Sequence, residues 1–157
     1  MKYYSGIGSR LTPKETLDLM TKLARILNDK GYILRSGGAY GADTAFANGA
    51  GTNKEIFRPH HATTEAIEIA MNVHPAPRHC KPYVKKLHGR NVQILLGKEL
   101  DKPVEFVVCW AANEQTGGTS LGIRIAKKFK ISCFNLAKEK DFIKISSFLT
   151  PPFDKFW

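Results

Sequence analysis

Leu34-Arg35-Ser36-Gly37-Gly38-Ala39-Tyr40-Gly41-Ala42-Asp43 is the stretch that decides the fold. A short apolar run, Tyr32 to Leu34, stops at a glycine-rich turn, and Thr44-Ala45-Phe46-Ala47 then opens a helical pattern. Such a strand–turn–helix handover aims backbone N–H groups at an anion. Glycine permits close approach of a phosphate, and the helix N-terminus adds partial positive charge. A tight connection with no ligand is the plainer reading of one such turn taken alone.

Two further turns of the same kind are present. Tyr3-Tyr4-Ser5-Gly6-Ile7 reads as a strand and runs into Gly8-Ser9-Arg10. Thr12-Pro13-Lys14-Glu15 follows, with Thr12 expected as the N-cap of a helix and Glu15 completing a capping box. Leu17, Met20, Leu23, Ala24 and Leu27 share one face of that helix, which Gly31 ends. Ser9 and the Arg10 guanidinium suit a phosphate, although Arg10 also reads as a solvated surface residue. The third turn follows the most apolar strand, Val104 to Trp110, and contains Thr116-Gly117-Gly118-Thr119 ahead of a helix from Leu121.

Strands are expected at 3–7, 32–35, 54–58, 104–110 and 131–135. Helices are expected at 13–29, 42–50, 119–129 and 139–148, with more between 63 and 100. This alternation with short connections predicts one α/β domain spanning 1–157, a doubly wound parallel sheet covered on both faces. All strand-to-helix turns of such a sheet lie at one edge, so the three glycine-rich turns are expected to meet in one crevice.

A hydrophobic content of 43% with 24% charged residues is ordinary for a globular protein. No apolar run reaches the roughly 18 residues of a membrane span, and no signal-peptide pattern opens the chain. With Cys80, Cys109 and Cys133 as ordinary thiols, a cytoplasmic location is expected and no membrane partner. The net charge of +10 favours phosphorylated or polyanionic partners, or else only solubilises the surface.

Between His74 and Arg90 lie Arg78, Lys81, Lys85, Lys86, Tyr83 and three prolines, with no acidic residue. This basic segment, 74–90, reads as a flap or groove wall, or as a solvated crossover. His60-His61, His74 and His79-Cys80 offer metal-ligand types, but their spacings match no established zinc pattern, and no metal or cofactor is expected. A hydrolytic triad is not expected either, because there is no Gly-x-Ser-x-Gly elbow. The aromatic tail, 148–157, reads as folding back on the domain or as a contact with a second copy.

With these residues placed, the chain resembles the SLOG superfamily, the Rossmann-like group that joins the DNA-processing protein DprA (Smf) and the LOG phosphoribohydrolases. It looks most like the small stand-alone YspA/YpsA-type nucleotide-binding members. The resemblance spans about Tyr3 to Asn135. It rests on Gly8-Ser9-Arg10, Ser36-Gly37-Gly38-Ala39-x-Gly41-Ala42-Asp43, Gly89-Arg90-Asn91 and Gly117-Gly118-Thr119, in the family's order.

The resemblance implies a five-stranded sheet of order 3-2-1-4-5 with the ligand at the switch between strands one and four. It implies Arg90 as a second phosphate-binding arginine, with Arg90-Asn91 opening a helix toward the crevice. Asn91 would bond a neighbouring loop or the ligand. Asp43 would cap its own helix or accept a ribose hydroxyl. It implies pairing into homo-oligomers. The phosphoribohydrolases carry a glutamate just after the third turn, where this chain has Ser120, Leu121, Gly122 and Ile123. Binding of a nucleotide-type small molecule without catalysis is therefore expected. Single-stranded nucleic-acid binding of the DprA type is the second reading. Nucleoside-type glycosidic cleavage, with Glu114 or Asp43 as the carboxylate, is the third.

Overall fold

The computed structural model describes residues 1–147, so the aromatic tail lies outside the described residues. Five strands, β1 (Lys2–Gly6), β2 (Tyr32–Ser36), β3 (Lys54–Ile56), β4 (Phe106–Cys109) and β5 (Ser132–Asn135), form one sheet in the order β3-β2-β1-β4-β5. Every pairing is parallel, with Tyr4 opposite both Leu34 and Phe106 in register. The chain is an α/β protein with the doubly wound, Rossmann-like order expected for it. The connections are α1 (Lys14–Asp29), α2 (Ala42–Ala50), α3 (Thr64–Val73), α4 (Pro82–Leu96) and α5 (Gly118–Lys128), and α6 (Glu139–Ser146) follows β5.

Successive residues of β4 point to opposite faces, which makes two cores. Phe106 and Val108 join Tyr4, Leu34, Phe46 and the α1 stripe Met20, Leu23, Ala24 and Leu27 on one face. Val107 and Cys109 join Val92, Leu95, Leu121 and Ile125 on the other. Burying a side chain such as Phe46 completely stabilises the fold by about 2–3 kcal/mol. Helices α1 and α2 pack closely because a Cβ at Gly49 would strike the Thr21 carbonyl. Thr21 Oγ1 donates across the same seam to Ala45 O at 2.9 Å.

Two strand hydroxyls fasten the elements that build the switch point. Ser5 Oγ donates to Ile94 O of α4 at 2.7 Å, and Ser36 Oγ donates to Gly6 O at 2.5 Å. Arg35 is buried on the sheet. Its Nε pairs with Glu55 at 2.8 Å, and its guanidinium lies 3.9 Å from the Tyr3 ring centroid.

Two local expectations are corrected. Helix α1 begins at Lys14 with Pro13 as its N-cap, not Thr12. The Thr12 hydroxyl instead donates back to Ser9 O at 2.5 Å, so it closes the first turn rather than the helix. The capping box with Glu15 therefore does not form. Arg90-Asn91 does not open a helix. Pro82 supplies the fixed φ of a first helical residue, and α4 runs unbroken from it, so Arg90 falls near the middle. Among the described residues no helix is long and apolar enough to cross a membrane.

Candidate functional site

The C-terminal ends of β1 and β4 part around a crevice of about 560 Å³. That size suits a small-molecule site. Gly8, Ser9 and Arg10 form one side, and Thr116, Gly117, Gly118 and Thr119 form the other. Asp43, Arg90 and Asn91 also line it, from α2 and α4.

The first and third turns are locked to each other. Ser9 N donates to Trp110 O at 3.2 Å, continuing the β1–β4 ladder past the strand ends. Gly8 has to be small, because a Cβ there would lie 2.5 Å from the Ala42 Cβ at the start of α2. Ser9 Oγ accepts from Leu11 N at 3.0 Å, which shapes the turn. Arg10 is exposed, and its guanidinium makes no hydrogen bond or ion pair among the described residues.

Helix α5 starts into the crevice from Gly117, whose φ of 88° belongs to the left-handed region that glycine tolerates. No side chain caps this N-terminus. A Cβ at Gly118 would meet nothing within 4 Å, so the approach to the first-turn amides is open. Asn135 holds the turn from behind, and the sequence reading did not identify it. Its Oδ1 accepts from Ala111 N at 3.0 Å, and its Nδ2 donates to Ala111 O at 3.0 Å and to Glu114 Oε2 at 2.9 Å. The only signal for this role was an Asn at the end of a strand beside the turn.

The second turn contributes less than the other two. Ala39 and Asp43 reach the crevice, whereas Ser36, Gly37, Gly38 and Gly41 are not among its lining residues. Ser36 spends its hydroxyl on Gly6 O. Gly37 is wedged between Arg90 and Asp43, and Gly38 faces Arg58. Gly41 backs onto the Ser9–Arg10 turn and is the N-cap of α2 with φ 97°.

Asp43 therefore does not cap its own helix. It sits inside the first turn of α2, and its Oδ2 accepts from Ala39 N at 3.1 Å. Burial pushes its carboxyl above the ordinary carboxylate range, against the Ala39 amide and the Arg90 charge, which favour the ionised form. Among the described residues it is the one acidic residue lining the crevice.

Arg90 is buried and largely committed to the protein. Nη1 donates to Gly37 O at 3.0 Å and to Phe57 O at 3.2 Å, and Nε donates to Asn91 Oδ1 at 3.0 Å. Burial lowers its pKa from the ordinary value, and Asp43 opposes that shift. Asn91 thus bonds its neighbour, and both residues form the crevice wall.

Glu114 does not line the crevice. It pairs with Lys138 Nζ at 2.9 Å. Burial raises its pKa, but the Asn135 and Lys138 hydrogen bonds together with the Lys138 charge outweigh this and bring it below the ordinary value. At the position after the third turn, Leu121, Gly122 and Ile123 are buried, and a Cβ at Gly122 would lie 2.7 Å from Ile7.

Of the basic segment, His88 and Arg90 line the crevice together with Leu87. Lys81, Tyr83 and Lys86 are exposed on or beside the first turns of α4. Leu11 and Trp110 are wall residues that the sequence reading did not assign to the site, because apolar side chains beside a turn carry no ligand signal of their own. No protein-family model, no curated protein and no solved structure matches the chain, so the chemistry of the crevice is read from its own residues.

Proposed function

We propose that this crevice binds a phosphorylated nucleotide or nucleotide-derived ligand, in the manner of the SLOG superfamily that the chain resembles, and that it does so without catalysis. The observation that carries this reading is Arg10. An exposed guanidinium with no protein partner among the described residues stands across the crevice from the uncapped N-terminus of α5. The two together supply charge-assisted N–H donors and a favourable dipole for a phosphate. Trp110, Leu11 and Leu87 offer apolar surface for the remainder of the ligand.

Lack of turnover follows from the carboxylates. A glycosidase stabilises positive charge on the sugar with carboxylates flanking the bond. Here Glu114 is turned to Lys138, and Asp43 is held against the Ala39 amide.

A thermal-shift screen with nucleoside mono-, di- and triphosphates, dinucleotides and cyclic nucleotides tests the reading, followed by calorimetry on any hit. The expected result is one ligand bound per crevice with an affinity that changes little with salt. If no nucleotide raises the melting temperature, the reading is wrong.

Single-stranded nucleic acid is the second reading. Tyr40 and Tyr83 are 83% and 63% exposed and could stack bases, and the net charge is +10. Binding of oligonucleotides that weakens steeply with salt, with no response to mononucleotides, would favour it.

A further inference from the structure

The loop between α3 and α4 gathers three metal-ligand side chains that are scattered in sequence. His74 ends α3, Cys80 follows a single 3-10 turn (Pro77–His79), and His88 comes from the second turn of α4. One ring nitrogen from each histidine and the Cys80 sulfur all lie within 4.8 Å of one another. His74 Nε2 is 3.5 Å from Cys80 Sγ, and the two imidazole centroids are 5.0 Å apart. Tetrahedral zinc, with bonds of about 2.0–2.3 Å, needs ligand–ligand edges of about 3.4–3.6 Å. The His74–Cys80 pair already has that edge.

The loop is folded to hold these groups together. His79 N donates to Ala76 O at 3.1 Å, and Cys80 N donates to Pro77 O at 3.2 Å. A second, independent observation concerns His88. Its Nδ1 is buried and has no hydrogen-bond partner among the described residues. Buried ring nitrogens in proteins are nearly always partnered.

We infer that His74, Cys80 and His88 bind one borderline divalent transition-metal ion of the zinc type, with its fourth position left to water or another small ligand. One thiolate with two imidazoles selects such a cation over magnesium or calcium, which take oxygen ligands. Beside the two histidines lies a cavity of about 260 Å³ that Ser120 and Arg124 also line, and it shares His88, Thr116 and Gly117 with the crevice. The cation adds positive charge at that end of the phosphate-type turn.

Binding has a defined proton balance. Ala76 N donates to His74 Nδ1 at 2.9 Å, which places the imidazole proton on Nε2, facing Cys80. Metal at Nε2 moves this proton to Nδ1 and breaks the Ala76 bond. The Cys80 thiol loses its proton to solvent as the metal–sulfur bond forms.

The test uses the full chain stripped with a chelator and titrated with Zn²⁺ by calorimetry and with Co²⁺ by absorption. The expected result is one equivalent per chain, tetrahedral cobalt bands and a thiolate-to-metal charge-transfer band. Cys80→Ser should abolish that band, and both Cys80→Ser and His88→Gln should weaken zinc at least about tenfold. The wild-type cobalt spectrum decides the matter even if one variant fails to fold. Absence of a thiolate band, octahedral cobalt, or zinc affinity unchanged in His88→Gln would overturn the proposal. The last outcome would point to His60-His61 instead.

Discussion

Arg90 Nη1 donates to the carbonyl oxygen of Gly37 across 3.0 Å, joining the middle of α4 to the turn after β2. The same nitrogen reaches Phe57 O at the end of β3. One guanidinium thus bridges two sheet-edge turns and forms part of the crevice wall. A Cβ on Gly37 would lie 2.7 Å from both Arg90 Nη1 and Asp43 Oδ2.

Arg90→Ala is accordingly a stability variant as well as a site variant. It leaves two buried carbonyls without their donor, and a loss of about 2–4 kcal/mol is expected. Gly37→Ala should cost about 1–3 kcal/mol by crowding the same pair. Urea unfolding of both variants checks this. Wild-type stability in either would mean that the turn relaxes freely.

Arg10→Ala should behave in the opposite way. The side chain is exposed and makes no bond among the described residues, so the melting temperature should not move. Affinity for the best phosphorylated ligand should fall by about 1.5–3 kcal/mol, the range for hydrogen bonds to charged groups. Calorimetry on the variant measures it, and an unchanged affinity would remove Arg10 from the site.

Incubation with nucleoside and deoxynucleoside monophosphates should release no free base above background. In the phosphoribohydrolases that the chain resembles a glutamate follows the third turn, where this chain has the buried Leu121 and Gly122. Multiple turnovers abolished by Asp43→Asn would install an enzyme in this crevice.

Glu114 should confer acid sensitivity. Its folded pKa lies below the ordinary value because the Asn135 and Lys138 bonds and the Lys138 charge outweigh the effect of burial. Such a group contributes stability above its unfolded pKa and loses that contribution as pH falls through the folded value. Wild type should therefore be more stable than Glu114→Gln at pH near 7, and the difference should shrink below about pH 4.5. Denaturant midpoints of the two proteins across that range test the sign. A gap that widens in acid would contradict the pairing.

Much of this architecture was legible from local pattern. The period of Met20, Leu23, Ala24 and Leu27 specifies α1, and the apolar run before each glycine-rich turn specifies a strand. Those signals depend on neighbours a few residues away, which a sequence displays directly. Parallel alternation then obliges the first and third turns to share one sheet edge.

The choice of hydrogen-bond partners was not legible, because it is made between residues far apart in the chain. Ser36 sits in a glycine-rich turn that reads as phosphate-binding, Asp43 reads as a helix cap or a ribose acceptor, and the resemblance implies Arg90 as a phosphate-binding arginine. In the fold, Ser36 bonds Gly6 O, Asp43 accepts from Ala39 N, and Arg90 donates to Gly37 O and Phe57 O. Most buried polar atoms find a partner, and close packing supplies protein partners to these three while leaving Arg10 exposed without one among the described residues. His88 likewise gave no sign of meeting His74 and Cys80, since only the packing of α4 against α3 brings them together. The sequence by itself determined the periodicities and the turns. The tertiary structure alone decided which polar groups hold the protein together and which stay available, because burial and partnering are properties of the whole packed chain.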